Sequence, residues 1–450
     1  MFRMINPVQD YAWGSTSALT ELFDWPPSAE PRAEVWMGAH PTAPSQVVLD
    51  DDGPETTSLD TLLADHPELA GAADGGSARA AGLPFLLKVL AAARPLSIQT
   101  HPDAERARAG FAAEEAAGIP RTDRRRCYPD PSPKPELLVA LDEFAALSGF
   151  RDADEAAEDL EALVRLLRAD GATADSPDGS EAAAAVGSLA DLLAAEDHHG
   201  ALEEILRGRR EEFVAAAERI TRLLAPEEPD LRADVVGRPG GLAPSTADTL
   251  RRVAAAFPGD PGLLVTVLLQ RVDLRPGEAL FLPAGNLHAY LHGVGVEVMA
   301  SSDNVLRGGL TGKHIDVDEL LAVTEARRLP VPHCPPTTPA PGRRRYTPDC
   351  RDFALERIEL PEAGSPLPLA DEGPAVLLCT AGELVVERLA EEDRTGSAED
   401  AGVALGAARG AARLRLRPGQ SAFLPATARH RLVGGGSGQA FLATRGAVPA

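Results

Sequence analysis

Three short stretches of this 450-residue chain place metal-ligating or proton-carrying side chains on one face of an extended segment. Side chains of a strand alternate between faces. In PLSIQTH, Ser97, Gln99 and His101 therefore share a face, and Leu96, Ile98 and Thr100 take the other. In KPELLVAL, Lys134 and Glu136 lie together, with Leu137 and Val139 opposite; in NLHAYLH, His288, Tyr290 and His292 lie together. Burying such polar faces is costly unless something satisfies them, and a metal ion is an economical satisfier. Gln99, His101, Glu136 and His288 offer two nitrogens and two oxygens, acceptable for Zn²⁺ with water or substrate completing the shell. The bland alternative is that each residue only hydrogen-bonds in the wall of a sheet, the commoner fate of a lone histidine. The spacing of Gly277, Pro283, Gly285, His288 and His292 weighs against that alternative for the set as a whole.

The elements that must position these residues are mainly β. From about 8 to 100 the apolar runs are short and densely punctuated, which predicts strands with short helices near Thr16–Leu22 and Leu59–Asp65. Residues 102–118 predict a helix, with Pro at its start and Gly at its end, and Glu136–Leu141 a strand. From 151 to 256 the chain turns rich in Ala, Leu, Glu and Arg at helical spacing, predicting a helical insertion. Two polar stretches inside it, 169–181 and 225–245, predict surface loops. LLVTVLLQRVDL at 263–274 predicts a return to strand, 318–328 a short helix, Pro-rich 330–342 a linker, and acidic 389–412 a loop.

One repeat stands out. LRPGEALFLPAGNLHAYL (274–291) and LRPGQSAFLPATARHRLV (416–433) align without a gap, so that Gly277 and His288 correspond to Gly419 and His430. A turn glycine, a strand, Leu-Pro and a histidine strand make a double-strand element of a jelly roll, and its repetition predicts two such barrels. The second copy has no upstream QTH-like or KPE-like strand, so no metal is expected there.

Composition bounds the partners. With 44 Lys+Arg against 68 Asp+Glu the formal net charge is −24, and the mean field repels nucleic acid and anionic lipid. A small anion remains an admissible ligand where basic residues gather. No secretory or membrane-spanning run is apparent. Cys127, Cys334, Cys350 and Cys379 are widely spaced and form no CxxC unit, which fits thiols of a reducing cytoplasm. Oligomeric state is not readable.

With these motifs in view, the chain resembles the type I mannose-6-phosphate isomerases, zinc-dependent enzymes of the cupin superfamily. The resemblance covers most of the chain and is carried by YAWGS (11–15), EVWMGAHPTAPS (34–45), LPFLLKVLAAARPLSIQTHPD (83–103), YPDPSPKPELLVAL (128–141), ALSGF (146–150) and FLPAGNLHAYLHGVGVEVMASSDNVLRGGLTGKHIDV (281–317). It implies a mainly β fold of two cupin (jelly-roll) barrels plus an α-helical subdomain. The corresponding division is 1–150 with 257–330 as a discontinuous catalytic barrel, 151–256 as the helical insertion, and 331–450 as a C-terminal barrel. It implies reversible isomerisation of mannose 6-phosphate and fructose 6-phosphate, by proton transfer between C1 and C2 through a zinc-stabilised enediolate. It also implies one zinc per chain on Gln99, His101, Glu136 and His288, the same four the face argument reaches.

The same likeness makes Arg307 an active-site cation, surrounded by Lys134, Glu297, Asp303, Lys313, Ser97 and Lys88. Lys134, Asp303 and Glu297 are the rival proton carriers, and Lys88, Ser97 and Lys313 the expected phosphate contacts. Lys88 sits inside the apolar run FLLKVL, where its charge demands a partner, either a phosphate or a buried glutamate. Trp13 and Trp36 are expected in the core. The chain departs from the family pattern at Pro133 and Ser132, where His and Asn usually precede KPE, and at Ala104, where Lys usually follows HPD. The rival readings are a metal cupin of other chemistry, such as an iron dioxygenase, and a non-catalytic sugar-phosphate sensor. A set with only two histidines suits redox-inert zinc better than iron.

Overall fold

A computed structural model of the chain describes residues 1–49, 55–71, 82–169, 177–225, 236–361, 366–369, 373–389 and 410–446. Its β part is two ten-stranded antiparallel sheets. The sheet that carries the candidate residues runs Leu269–Leu274, Phe144–Phe150, His288–Ala300, Phe85–Ala92, Glu34–Met37, Val8–Gln9, with four further strands paired off this path. The other sheet is built mainly from Arg343–Tyr346 onward.

His288–Ala300 organises the first sheet. Its first half pairs with Phe144–Phe150; from Gly293 onward it pairs with Phe85–Ala92, and from Gly295 with Glu136–Ala140 as well. The changeover lies at a register shift between Tyr290 and His292. Gly293 makes it possible: its φ is +122°, and a Cβ there would sit 2.7 Å from the Phe144 ring and 2.8 Å from the Glu143 carbonyl.

Alternation then separates chemistry from core. Leu87, Val89, Leu137, Val139, Val296 and Val298 enter one apolar cluster with Tyr346, Leu355, Val376, Phe423 and Phe441 of the second sheet. Lys88, Glu136 and Glu297, one residue along, point the other way into a cleft. At roughly 25 cal/mol per Å² of apolar surface, that shared core clamps the back of the candidate site.

The repeated segments occupy matching places. Ala279–Leu282 leads into His288–Ala300 in one sheet, and Ser421–Leu424 into His430–Thr444 in the other. The turn glycines Gly277 and Gly419 share the left-handed conformation, φ +87° and +79°. The second sheet also takes N-terminal material. Phe2–Ile5 pairs with Ser421–Leu424 and with Gln46–Val48, which pairs with Thr56–Ser58. A division assigning all of 1–150 to the catalytic sheet therefore misplaces these three strands.

Between Phe150 and Leu269 the described residues are mainly helical. Ala153–Ala169 buries Ala156, Leu160, Leu163 and Leu167, a stripe at helical spacing. Its core continues through Phe213, Ile220 and Leu250 to Ile98, Leu147, Ala289 and Leu306 of the sheet, so the helices buttress the strands bearing Gln99 and Arg307. Two expectations are corrected here. Residues 177–181, read as loop, begin the helix Pro177–Ala194, while 170–176 lie outside the described residues. Of 263–274, read as strand, residues 263–268 belong to the helix Gly262–Leu268, buried on all sides, and only Leu269–Leu274 is strand. An apolar run without polar punctuation has no period from which to tell the two apart.

The remaining elements lie close to expectation, with helices at Ala18–Phe23, Leu59–Asp65, Ala104–Ala116 and Val317–Val323. Residues 226–235 and 390–409 of the expected loops lie outside the described residues. Among the described residues no helix is long and apolar enough to cross a membrane.

Candidate active site

Strand register brings the three stretches together. His288 pairs directly with Gln99, and Gln99 in turn with Arg307 on Leu306–Gly309. Glu136 pairs with Met299 near the far end of the same long strand. Buried His101, Glu136 and His288 each turn one ligating atom into a common point. Glu136 Oε2 stands 3.5 Å from His101 Nε2 and 3.5 Å from His288 Nε2, and the Gln99 amide is 3.4 Å from His288 Nε2.

These distances match a metal site. Ligands at about 2.1 Å from a tetrahedral zinc stand about 3.4 Å apart, which is the spacing observed. The other ring nitrogens are already used: His101 Nδ1 bonds the Asn304 carbonyl at 2.8 Å and His288 Nδ1 the Asn286 carbonyl at 2.9 Å. Each Nδ1 donates, so each Nε2 presents a lone pair inward. His101 Nε2 and Glu136 Oε2, both fully buried, have no hydrogen-bond partner, an expensive state that a cation would relieve. Turning the Gln99 amide over would present its oxygen to the same point. The residues fit zinc.

Electrostatics agree with the donor assignment. Burial pulls the His101 imidazole down to about 4, leaving it neutral. Burial alone would raise Glu136, yet the Lys134 ammonium, 3.0 Å away, and His101 hold it well below the usual carboxylate range.

The point opens into a cleft of about 660 Å³ lined by Ser97, Gln99, Lys134, Glu136, Asp303 and Arg307, among others. Lys88, Glu297 and Lys313 line it too, so every expected site residue lies on or directly behind this wall. Lys88 is buried with its charge answered: Nζ is 3.2 Å from Glu297 and 3.9 Å from Glu34, and 5.1 Å from the Trp36 ring centroid. Register explains the group, because Trp36, Lys88 and Glu297 are successive cross-strand neighbours. Burial opposes the Lys88 charge, but Glu34 and Glu297 hold its ammonium above the ordinary value. Of the two partners expected for Lys88, the glutamate is present. Tyr290 donates to Glu297 at 2.7 Å and Trp36 Nε1 to Glu34 at 2.6 Å, so both Glu297 oxygens are engaged.

The structure corrects two further expectations. Trp13 and Trp36 both line the cleft rather than only filling core. His292 leaves the face of His288 and Tyr290 because the register shift interrupts alternation; its charged neighbours are Arg252, Arg271, Asp248 and Asp142.

Glu34 and His40 are wall residues that the motif reading did not assign. Their signal was present: Glu34, Trp36 and His40 share parity in EVWMGAH. Buried His40 sets Nε2 3.5 Å from Asp303, receives or gives a bond at Nδ1 with Thr42, and meets Trp36 edge-on. Asp303 itself is 41% exposed, and its backbone N–H is held by Asp130 at 2.8 Å.

Comparison with known proteins gives a consistent result. A family model for the catalytic domain of phosphomannose isomerase type I matches residues 1–153. The chain is 35% identical over 428 residues to mannose-6-phosphate isomerase of Escherichia coli (strain K12), covering 95% of each. It is 36% identical over 431 residues to mannose-6-phosphate isomerase of Salmonella typhimurium, again covering 95% of each. The solved structure of the Salmonella typhimurium enzyme bound to its substrate and zinc superimposes with a TM-score of 0.77 at 33% identity, over 99% of this chain and 100% of that one.

Proposed function

Because the chain belongs to the type I phosphomannose isomerase family, we infer that its cleft interconverts mannose 6-phosphate and fructose 6-phosphate with zinc as cofactor. The observation that carries this is the convergence of Gln99, His101, Glu136 and His288 at tetrahedral spacing, with two buried atoms otherwise unsatisfied.

The reaction moves a proton between C1 and C2 and shifts the carbonyl, passing through an enediolate whose oxygens carry developing charge. His101, Glu136, His288 and Gln99 would hold the zinc, which would supply Lewis acidity to the reaction. Arg307, directly opposite Gln99 in register, adds a fixed guanidinium at the same oxygens. Lys134, against Glu136, keeps a second cation there. Accessibility favours Asp303 as the proton carrier over Lys134, which is committed to its ion pair with Glu136. Glu297 is engaged at both oxygens, Glu34 by Trp36 and Lys88, and Glu136 by the metal point. Asp303, its side chain 41% exposed against 9% for Glu34, is the carboxylate open to the cleft, and His40 and Asp130 hold it in place. Lys88 then serves to fix Glu297 and Glu34 rather than to bind phosphate, which falls to Ser97 and Lys313 on the same wall. Such positioning of the phosphate orients C1 and C2 at the cations.

Four free cysteines support a reducing, cytoplasmic setting. The test is metal analysis with a coupled fructose 6-phosphate assay. About one zinc per chain is expected, with turnover lost on chelation and recovered on adding zinc back. Full activity in metal-free protein, or sugar-phosphate binding without turnover in the zinc-loaded form, would overturn the reading.

A further inference from the structure

Five Lys and Arg side chains line the cleft: Lys88, Arg124, Lys134, Arg307 and Lys313. Carboxylates answer two of them, Glu297 and Glu34 for Lys88 and Glu136 for Lys134. No ion pair is formed by Arg124, Arg307 or Lys313 among the described residues. Their charges repel instead; burial and the Arg307 guanidinium both push Lys313 down. In a chain of net charge −24, leaving cations unanswered in one cleft has a physical use, namely to receive an anion that arrives from solution.

Arg124 is the member of this group that no motif singles out. Nearby acids are not lacking, because every other arginine of its loop has found one. Arg121 pairs with Glu115 at 3.5 Å, Arg125 with Asp123 at 2.9 Å, and Arg126 with Glu114 at 2.8 Å and Glu115 at 2.6 Å. The loop is also pinned. The Arg126 side chain is 1% exposed, donates to the Tyr128 carbonyl at 3.0 Å and lies over the Phe111 ring, while its backbone N–H closes a turn on the Asp123 carbonyl at 3.0 Å. Arg124 is thus an exposed guanidinium on a fixed backbone at the cleft rim.

We propose that Arg124 and Lys313 form the two jaws of an anion clasp at the cleft mouth that receives the 6-phosphate of the sugar. The inference rests on the sugar-phosphate reading and adds to it a binding residue contributed by the 121–126 loop. A guanidinium fork offers two parallel donors to a phosphate, where Lys313 offers a point charge. Arg307, held in the strand beside Gln99, stays with the reacting oxygens.

The experiment compares Arg124→Ala, Arg124→Lys and the neighbouring control Arg125→Ala, each exposed and expected to fold. KM and kcat for mannose 6-phosphate are measured with competitive inhibition by inorganic phosphate. Arg124→Ala should raise KM and the phosphate inhibition constant together by about tenfold, the worth of one charge-assisted hydrogen bond, with kcat within about twofold. Arg124→Lys should recover part of the loss, and Arg125→Ala should change neither constant. Unchanged KM in Arg124→Ala overturns the clasp, and so does an equal rise in both alanine variants, which would indicate only the general field. Failure of the parent reading looks different: the unaltered protein would not turn over mannose 6-phosphate. Inorganic phosphate binding, followed by calorimetry on unaltered protein and Arg124→Ala, would still decide the clasp.

Discussion

His101 is held by the main chain of Asn304: its Nδ1 lies 2.8 Å from the Asn304 carbonyl oxygen, which turns Nε2 toward Glu136. The same asparagine ties in the loop that delivers Glu136. Its side-chain amide donates to the carbonyls of Asp130 and Ser132, both at 2.7 Å, and Asn304 is fully buried. One residue thus fixes two of the proposed metal ligands through different groups.

Asn304→Ala keeps the carbonyl and removes the amide clamps. Loss of such outer support costs about 10–100-fold in metal affinity in comparable sites. Zinc affinity measured by chelator competition should fall within that range while the protein remains folded by circular dichroism. Unaltered affinity would show that the 130–136 segment is held without Asn304.

Arg307→Ala should separate chemistry from metal binding. The proposed mechanism puts this side chain at the reacting oxygens and outside the ligand set, so zinc content should stay near one per chain. Turnover should drop by about 10²–10³, the usual cost of one electrostatic donor at a developing oxyanion. An unchanged kcat would remove Arg307 from the reaction.

Lys88→Met leaves Glu34 and Glu297 buried without their cation. Breaking one side of a buried pair costs about 3–5 kcal/mol, so urea unfolding should shift markedly and kcat should fall as Glu297 moves. The double variant Lys88→Met/Glu297→Gln should regain much of the stability. If the single variant only raised KM and kept its stability, Lys88 would be a phosphate anchor after all.

His430 provides a pH prediction away from the metal. It is 4% exposed, its Nε2 has no hydrogen-bond partner, and burial, with the chain's amino terminus and Arg388 nearby, lowers it to about 3. Below about pH 6.5 the unfolded chain takes up a proton that the folded chain refuses. Stability is therefore lost as pH falls from about 6.5 toward 3, by about 2 kcal/mol at pH 5 from this residue. His430→Gln should flatten that part of the stability profile; an identical slope in both proteins would show that other groups set it.

Lys88 shows how far local reasoning reaches. An ammonium inside FLLKVL declares that a partner exists, but the choice of Glu297 and Glu34 depends on strands remote in sequence coming into register on either side of it. Trp36 shows the opposite case: its apolar bulk suggests core, while its position between Glu34 and Lys88 puts one edge in the cleft. Gly262–Leu268 defeats periodicity because every face is buried.

The donor types and their grouping by face were legible from the residues, because alternation is a property of one strand's backbone and needs no partner. Where alternation failed, at His292, the cause was a register shift that exists only between strands. The meeting of Gln99, His101, Glu136 and His288 at one point, the pairing of Lys88, and the unanswered charge of Arg124 were decided by tertiary structure. They are set by which segments pair and in what register, and that choice is made by burial summed over two sheets and the helices behind them.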